Sequence, residues 1–178
     1  MKMFNIQKMK YFVALILVFG AFQVNAETKD PEENFFQKSF GDFGEELELA
    51  KEQGKIGIMM MFEQDECPFC FRMRTTILNQ SHVQEYFRKH FAIFHIDIEG
   101  DTEMVDFSGK EMPEKDFAFK VNRVRATPVL MFYDLNGNKI VKYTGPTSSV
   151  DEFMLLGKYV IDKQYLSMSF SRYKQNKL

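Results

Sequence analysis

Only two cysteines stand in the 178-residue chain, and they are three apart, in Glu66-Cys67-Pro68-Phe69-Cys70. Residues three apart in a first helical turn share one face, with Cβ atoms about 5–6 Å apart, close enough for a disulfide after modest adjustment. The flanking residues supply such a turn. Ile56-Gly57-Ile58-Met59-Met60-Met61-Phe62 reads as a buried strand, and Phe71-Arg72-Met73-Arg74-Thr75-Thr76-Ile77-Leu78 reads as a helix. At a strand-to-helix junction this spacing means thiol–disulfide chemistry. Cys67 falls at the N-cap, where unpaired N–H groups and the positive helix end favour a thiolate. It is therefore the expected attacking sulfur, with Cys70 as the resolving one. Pro68 takes the first helical position, where its fixed φ suits the helix and its missing N–H costs nothing.

Other uses of two thiols are weaker fits. A structural bridge would close a four-residue loop, worth about 2 kcal/mol and less than a long loop would give. A structural zinc ion takes four ligands, and there is no second cysteine pair, so no metal is expected. A copper(I)-binding module or metallochaperone would need a histidine beside the thiols, and none of His82, His90 and His95 lies near them in sequence. A non-catalytic binding domain that merely keeps the fold is the remaining alternative.

The start of the chain reads as an address. Residues 1–10 carry Lys2, Lys8 and Lys10 and no acid, residues 11–22 are apolar, and Val24-Asn25-Ala26 fits small-x-small cleavage. This is a secretory signal peptide over 1–26, with an apolar core too short for a comfortable span. The mature chain is expected to begin at Glu27, to be periplasmic or secreted, and to have no stable membrane insertion. In an oxidising compartment a stapled protein would show several cysteine pairs. With one pair, the core must be hydrophobic, and 45% apolar residues with 20 Phe and 12 Met supply it. Without the three signal lysines, 20 basic residues face 25 acidic ones, a net charge of −5 that argues against nucleic acid as a partner.

The rest of the chain must position the turn. A polar leader (27–39) is followed by an amphipathic helix over 40–53 and the first strand over 55–63. The redox helix is expected over 68–79, a second helix over 83–90 and a strand over 91–98. A small excursion turning at Ser108-Gly109 leads to a helix over 113–121. A strand over 129–133 then pairs through Asn136-Gly137 with one over 139–143. A last helix over 150–165 precedes a basic tail (166–178) that is expected to fray. Strand–helix–strand units pair in parallel and the hairpin adds antiparallel strands. The expected class is α/β, a mixed four-stranded sheet with helices on both faces over one domain, 40–165.

Three features of this arrangement resemble the thioredoxin fold over 40–165: the Cys67-Pro68-Phe69-Cys70 turn, Thr127-Pro128 opening the third strand, and Asp134-Leu135-Asn136-Gly137-Asn138-Lys139 followed by Gly145. More narrowly, Met61-Phe62-Glu63, Arg72-Met73-Arg74, Asp106-Phe107-Ser108-Gly109 and Val124-Arg125-Ala126-Thr127-Pro128 resemble exported SoxW-type thioredoxin-related proteins, some linked to sulfur oxidation. The resemblance implies a cis Pro128 facing the dithiol and a Thr127 backbone that pairs with an extended substrate, Pro68 and Phe69 lying at the same surface. It implies no cofactor beyond the redox-active disulfide. The implied partners are protein disulfides or dithiols and an upstream electron donor. Two departures bear on chemistry. Thioredoxin has Trp before its first cysteine and Gly-Pro between the two, where Glu66 and Pro68-Phe69 stand here. Its buried strand aspartate would fall at Met61, which leaves Glu63 as the nearest proton acceptor.

Overall fold

Residues 27–177 are described by a computed structural model; the expected signal peptide lies outside the described residues. In chain order, α1 (Pro31–Asn34) and α2 (Phe43–Glu52) lead into β1 (Gly57–Glu63). The cysteine turn opens α3 (Pro68–Met73), which widens into a π-helical turn (Arg74–Leu78), and α4 (Ser81–His90) returns to β2 (Phe91–Asp97). A ribbon of β3 (Glu103–Val105) and β4 (Glu111–Pro113) precedes α5 (Glu114–Asp116) and a second π-helical turn (Phe117–Val121). Strands β5 (Val129–Tyr133) and β6 (Lys139–Thr144), α6 (Val150–Ile161), a 3-10 turn (Gln164–Leu166) and α7 (Phe170–Gln175) follow.

The main sheet has the order β2-β1-β5-β6. β1 pairs in parallel with β2 and antiparallel with β5, and β5 pairs antiparallel with β6. All seven β1 residues are buried, as a strand covered on both faces requires. Alternation sends Met59 and Met61 to the face under α3, α4 and α6, and Ile58, Met60 and Phe62 to the face under α2 and the second π-helical turn. The mixed four-stranded sheet of the sequence reading is the observed thioredoxin-like architecture. Helices α4 and α6 meet through stacked Phe87 and Phe153 rings, 4.2 Å between centroids. Gly157 permits that approach, since a Cβ there would lie 2.6 Å from Phe87 Cζ.

The segments expected to flank the domain are part of it. The leader buries Phe35 completely and Phe36 nearly so. Its backbone also bonds outward: Lys29 N donates to Asn79 O at 2.8 Å and Gln37 N to Ile93 O at 2.7 Å. The Gln37 side chain accepts from Ile93 N, so the leader covers the free edge of β2. Its polar composition hid two aromatic anchors. The C-terminal tail is likewise docked rather than frayed. Tyr173 is buried, Tyr159 Oη donates to Met168 O at 2.7 Å, and Lys174 Nζ pairs with Glu152 Oε1 at 2.7 Å. The last helix stops at Ile161, four residues earlier than expected, where Lys163 takes a left-handed φ of 53°. The Asn136-Gly137 turn is wider than a two-residue hairpin because Asp134 Oδ1 accepts from both Asn136 N and Asn138 N.

If the leader belongs to the core, Phe35→Ala should cost about 3–5 kcal/mol in denaturant unfolding, as for other buried Phe truncations. A cost of only a few tenths would show the leader to be an accessory.

Candidate active site

Cys67 adopts an extended backbone (φ −116°, ψ 95°) as the N-cap of α3, and its Sγ accepts from Cys70 N at 3.1 Å. Pro68 is the first helical residue. Cys67 and Cys70 form a disulfide, with Cα atoms 5.2 Å apart and S–S 2.09 Å. Both cysteines are largely covered, Cys67 at 7% exposure and Cys70 at 3%. The aromatic rim is not: Phe69 is 57% and Phe71 67% exposed, and Pro68 is exposed between them and the cysteine. A buried bridge beneath exposed apolar rings presents a surface to a partner's main chain and side chains.

The Thr127-Pro128 loop comes to the same end of the sheet. The register pairs Phe62 with Val129, which brings the two residues before Val129 alongside the end of β1. The Thr127-Pro128 peptide is cis, Pro128 is buried, and Pro128 O accepts from Gly145 N at 2.9 Å. Thr127 Oγ1 donates to Gln64 Oε1 at 3.2 Å, tying this loop to the residues before Cys67.

Behind the disulfide lies a groove of about 370 Å³ lined by Glu63, Gln64, Asp65, Cys67, Cys70, Phe71, Arg74, His95 and Asp97. It is built from strand register. Met61 stands opposite His95 and Glu63 opposite Asp97, so the face that is apolar at Met59, Met61, Phe91 and Ile93 turns polar at the C-terminal ends of two parallel strands. Open α/β sheets place sites at such ends. Arg74, at the start of the π-helical turn, grips Glu63 with both Nε (2.9 Å to Oε2) and Nη2, and reaches Glu32 Oε2 with Nη1 at 3.0 Å. His95 completes the ring, with Nδ1 3.1 Å from Glu63 Oε1 and Nε2 3.3 Å from Glu32 Oε1. The leader's Phe36 packs against both side chains, with the Arg74 guanidinium Cζ 4.7 Å over its ring and the His95 ring 5.1 Å away at an edge.

This changes the reading of Glu63. Burial opposes its charge, but hydrogen bonds from His95 and Arg74 and the charges of both prevail, holding the carboxyl below its ordinary range. An ion-paired carboxylate of lowered pKa is a poor proton acceptor at neutral pH. The hydrogen bond to Glu63 pushes His95 up; burial works against it, the charges of Glu63 and Glu32 add to it, and Arg74 opposes. Sequence distance from the cysteines had set His95 aside. The available signal was its parity, since it falls on the inward register of Phe91 and Ile93.

His90 and His95 are separated by four residues, but His90 ends α4 while His95 is bonded to Glu63 and Glu32. Among the described residues, no three His, Cys, Asp or Glu side chains are grouped to hold a metal ion.

The charge ring makes stability depend on pH. A histidine whose folded pKa is raised contributes fully below its unfolded value of about 6.5, and that contribution is lost as pH rises through the folded pKa. His95→Asn should therefore lower the denaturant midpoint more at about pH 6 than at about pH 9. Equal losses at both would show that the Glu63–His95 pair carries no proton-linked stability.

The thioredoxin-like domain family matches residues 43–161. Solved structures agree on the fold. A thioredoxin-fold protein from Helicobacter pylori is 19% identical, with a TM-score of 0.58 over 70% of this chain and 85% of that one. A thioredoxin from Thermus thermophilus is 21% identical, with a TM-score of 0.56 over 73% and 89%. A putative disulphide-isomerase from Bacteroides thetaiotaomicron is 21% identical, with a TM-score of 0.52 over 76% and 98%. No curated protein matches the chain. With a family match across most of the described residues and a cysteine pair at its expected strand-to-helix turn, the chain belongs to the thioredoxin-like domain family.

Proposed function

We propose that this chain is an exported thiol–disulfide oxidoreductase that exchanges disulfides with partner proteins through Cys67 and Cys70. The observation that carries this reading is the disulfide across the first turn of α3, with its N-terminal sulfur at the helix N-cap and exposed Phe69 and Phe71 at its rim. In the reducing direction the Cys67 thiolate attacks one sulfur of a partner disulfide, and the other partner sulfur leaves with the bond's electron pair. Cys70 then attacks Cys67 Sγ, releasing the second partner thiol and closing the protein disulfide. Two electrons have passed to the partner, and an upstream dithiol restores the pair. The reverse sequence oxidises a partner.

Pro68 and Phe69 would meet the substrate beside the attacking sulfur. The Thr127 backbone, whose own side chain is tied to Gln64 in the loop before Cys67, would pair with an extended substrate segment. The balance of nearby charge favours a reductase or a mid-range exchanger over a strong oxidase. The helix N-terminus promotes the thiolate, acidic Asp65 and Glu66 oppose it, and no histidine stands between the cysteines. Export rests on the lysine-then-apolar start of the sequence. Among the described residues no helix is long and apolar enough to cross a membrane. Within the family, the motifs around Met61-Phe62-Glu63 and Asp106-Phe107-Ser108-Gly109 favour the SoxW-type branch. Protein disulfides or dithiols are the partners this chemistry fits.

The order of attack gives the test. Cys70→Ser should accumulate mixed disulfides with partner proteins, visible on non-reducing gels, whereas Cys67→Ser should capture none. Capture by Cys67→Ser equal to that by Cys70→Ser would reverse the roles, and capture by neither would remove the exchange reading.

A further inference from the structure

Disulfide exchange moves protons as well as electrons. Opening the bridge by attack at Cys67 expels Cys70 as a thiolate at a site only 3% exposed. A buried anion there is costly unless it is protonated or paired. Closing the bridge requires the Cys70 thiol to lose that proton again. Of the groove-lining side chains, Gln64 has no proton to trade, Arg74 does not release one, and Glu63 is held as an anion by its ion pair with Arg74. His95 shares the groove with both sulfurs and is the one member whose ordinary titration falls in the physiological range.

Resting on the thiol–disulfide reading above, we propose that His95 carries the Cys70 proton across this groove, and that Glu63 is the residue positioning the His95 ring. Glu63 Oε1 takes the Nδ1 hydrogen, which makes Nε2, paired with the exposed Glu32, the nitrogen that gains and loses the proton. When an incoming thiolate attacks Cys67 Sγ, the S–S bond breaks and its electron pair goes to the Cys70 sulfur. The Nε2 proton of the imidazolium, shared until then with Glu32, passes across the groove to that sulfur and leaves neutral His95 still donating from Nδ1. In reverse, neutral Nε2 accepts the proton as Cys70 Sγ attacks Cys67 Sγ and the partner sulfur departs with the electron pair. Charge and protons balance in both directions.

The surroundings suit a ring that holds its proton in the oxidised state. The charged groups around His95 are Glu63 from β1, Asp65 from the loop after it, Glu32 from α1, Arg74 from the π-helical turn, Glu114 from α5 and Asp97 from its own strand. Five carboxylates stand against one guanidinium. The raised pKa of His95, set first by its hydrogen bond to Glu63, agrees with that count.

The experiment is reduction of Cys67–Cys70 by dithiothreitol in the oxidised chain, followed by quenched alkylation, with each rate divided by the dithiothreitol thiolate concentration. Between about pH 5 and about pH 9, the wild-type rate per thiolate should fall about tenfold or more as His95 loses its proton. His95→Gln should be slow and flat with pH. Glu63→Gln should keep the fall but move its inflection to lower pH, since the ring loses its anionic partner; a purely structural Glu63 would not move it. The exposed His82→Gln serves as the control and should behave as wild type. The His95 imidazole NMR titration in the wild type should give the same inflection, a readout that needs no variant to fold. A flat wild-type profile, or a wild-type inflection surviving in His95→Gln, overturns this inference alone. A disulfide that does not react with dithiothreitol at all overturns the proposed function and this inference together.

Discussion

Glu63 is an anion buried at the end of a central strand, and a buried anion must be paired. Its partners come from separate parts of the chain. Arg74 follows the cysteine helix, His95 comes from β2, and both are bonded in turn to Glu32 of the leader. The pairing requirement therefore docks the redox helix on the sheet, the neighbouring strand against it and the leader across both. Such a ring contributes position more than net stability, because desolvation offsets much of its attraction. What it fixes is where the first turn of α3 sits relative to the strand ends.

That placement sets opposing influences on the sulfurs. The N-cap donates: Cys70 N points at Cys67 Sγ, and the helix end favours negative charge there. The groove wall beneath is mixed, with Arg74 and His95 against Glu63, Asp65 and Asp97. Neither sign dominates. A pair tuned this way belongs in the middle of the range spanned by C-x-x-C proteins, about 150 mV or roughly 7 kcal/mol from end to end.

Much of this was legible in the residues. An unbroken apolar run and the two-residue gap between cysteines give β1, the turn and the start of α3, because burial on both faces and helix capping act locally. β5 follows from the same apolar signal, and the Thr127-Pro128 loop from the resemblance to the thioredoxin fold. The leader and tail were not legible, since Phe35, Phe36 and Tyr173 each sit in polar surroundings and declare themselves only through tertiary burial. His95 was missed for a related reason. Twenty-four residues separate it from Cys70, and only the parallel register of β1 with β2 brings the two into one groove. Glu63 was found, but its partners, which decide its ionisation, come from elements distant in sequence.

The most direct test of the central claim is the equilibrium of Cys67–Cys70 with a glutathione redox buffer, read by alkylation of the free thiols. A disulfide held at a helix N-cap over a groove of mixed charge should titrate between about −270 and about −120 mV, the range of exchanging C-x-x-C proteins. A potential below about −300 mV, where structural disulfides lie, would contradict the account and make the bridge a staple.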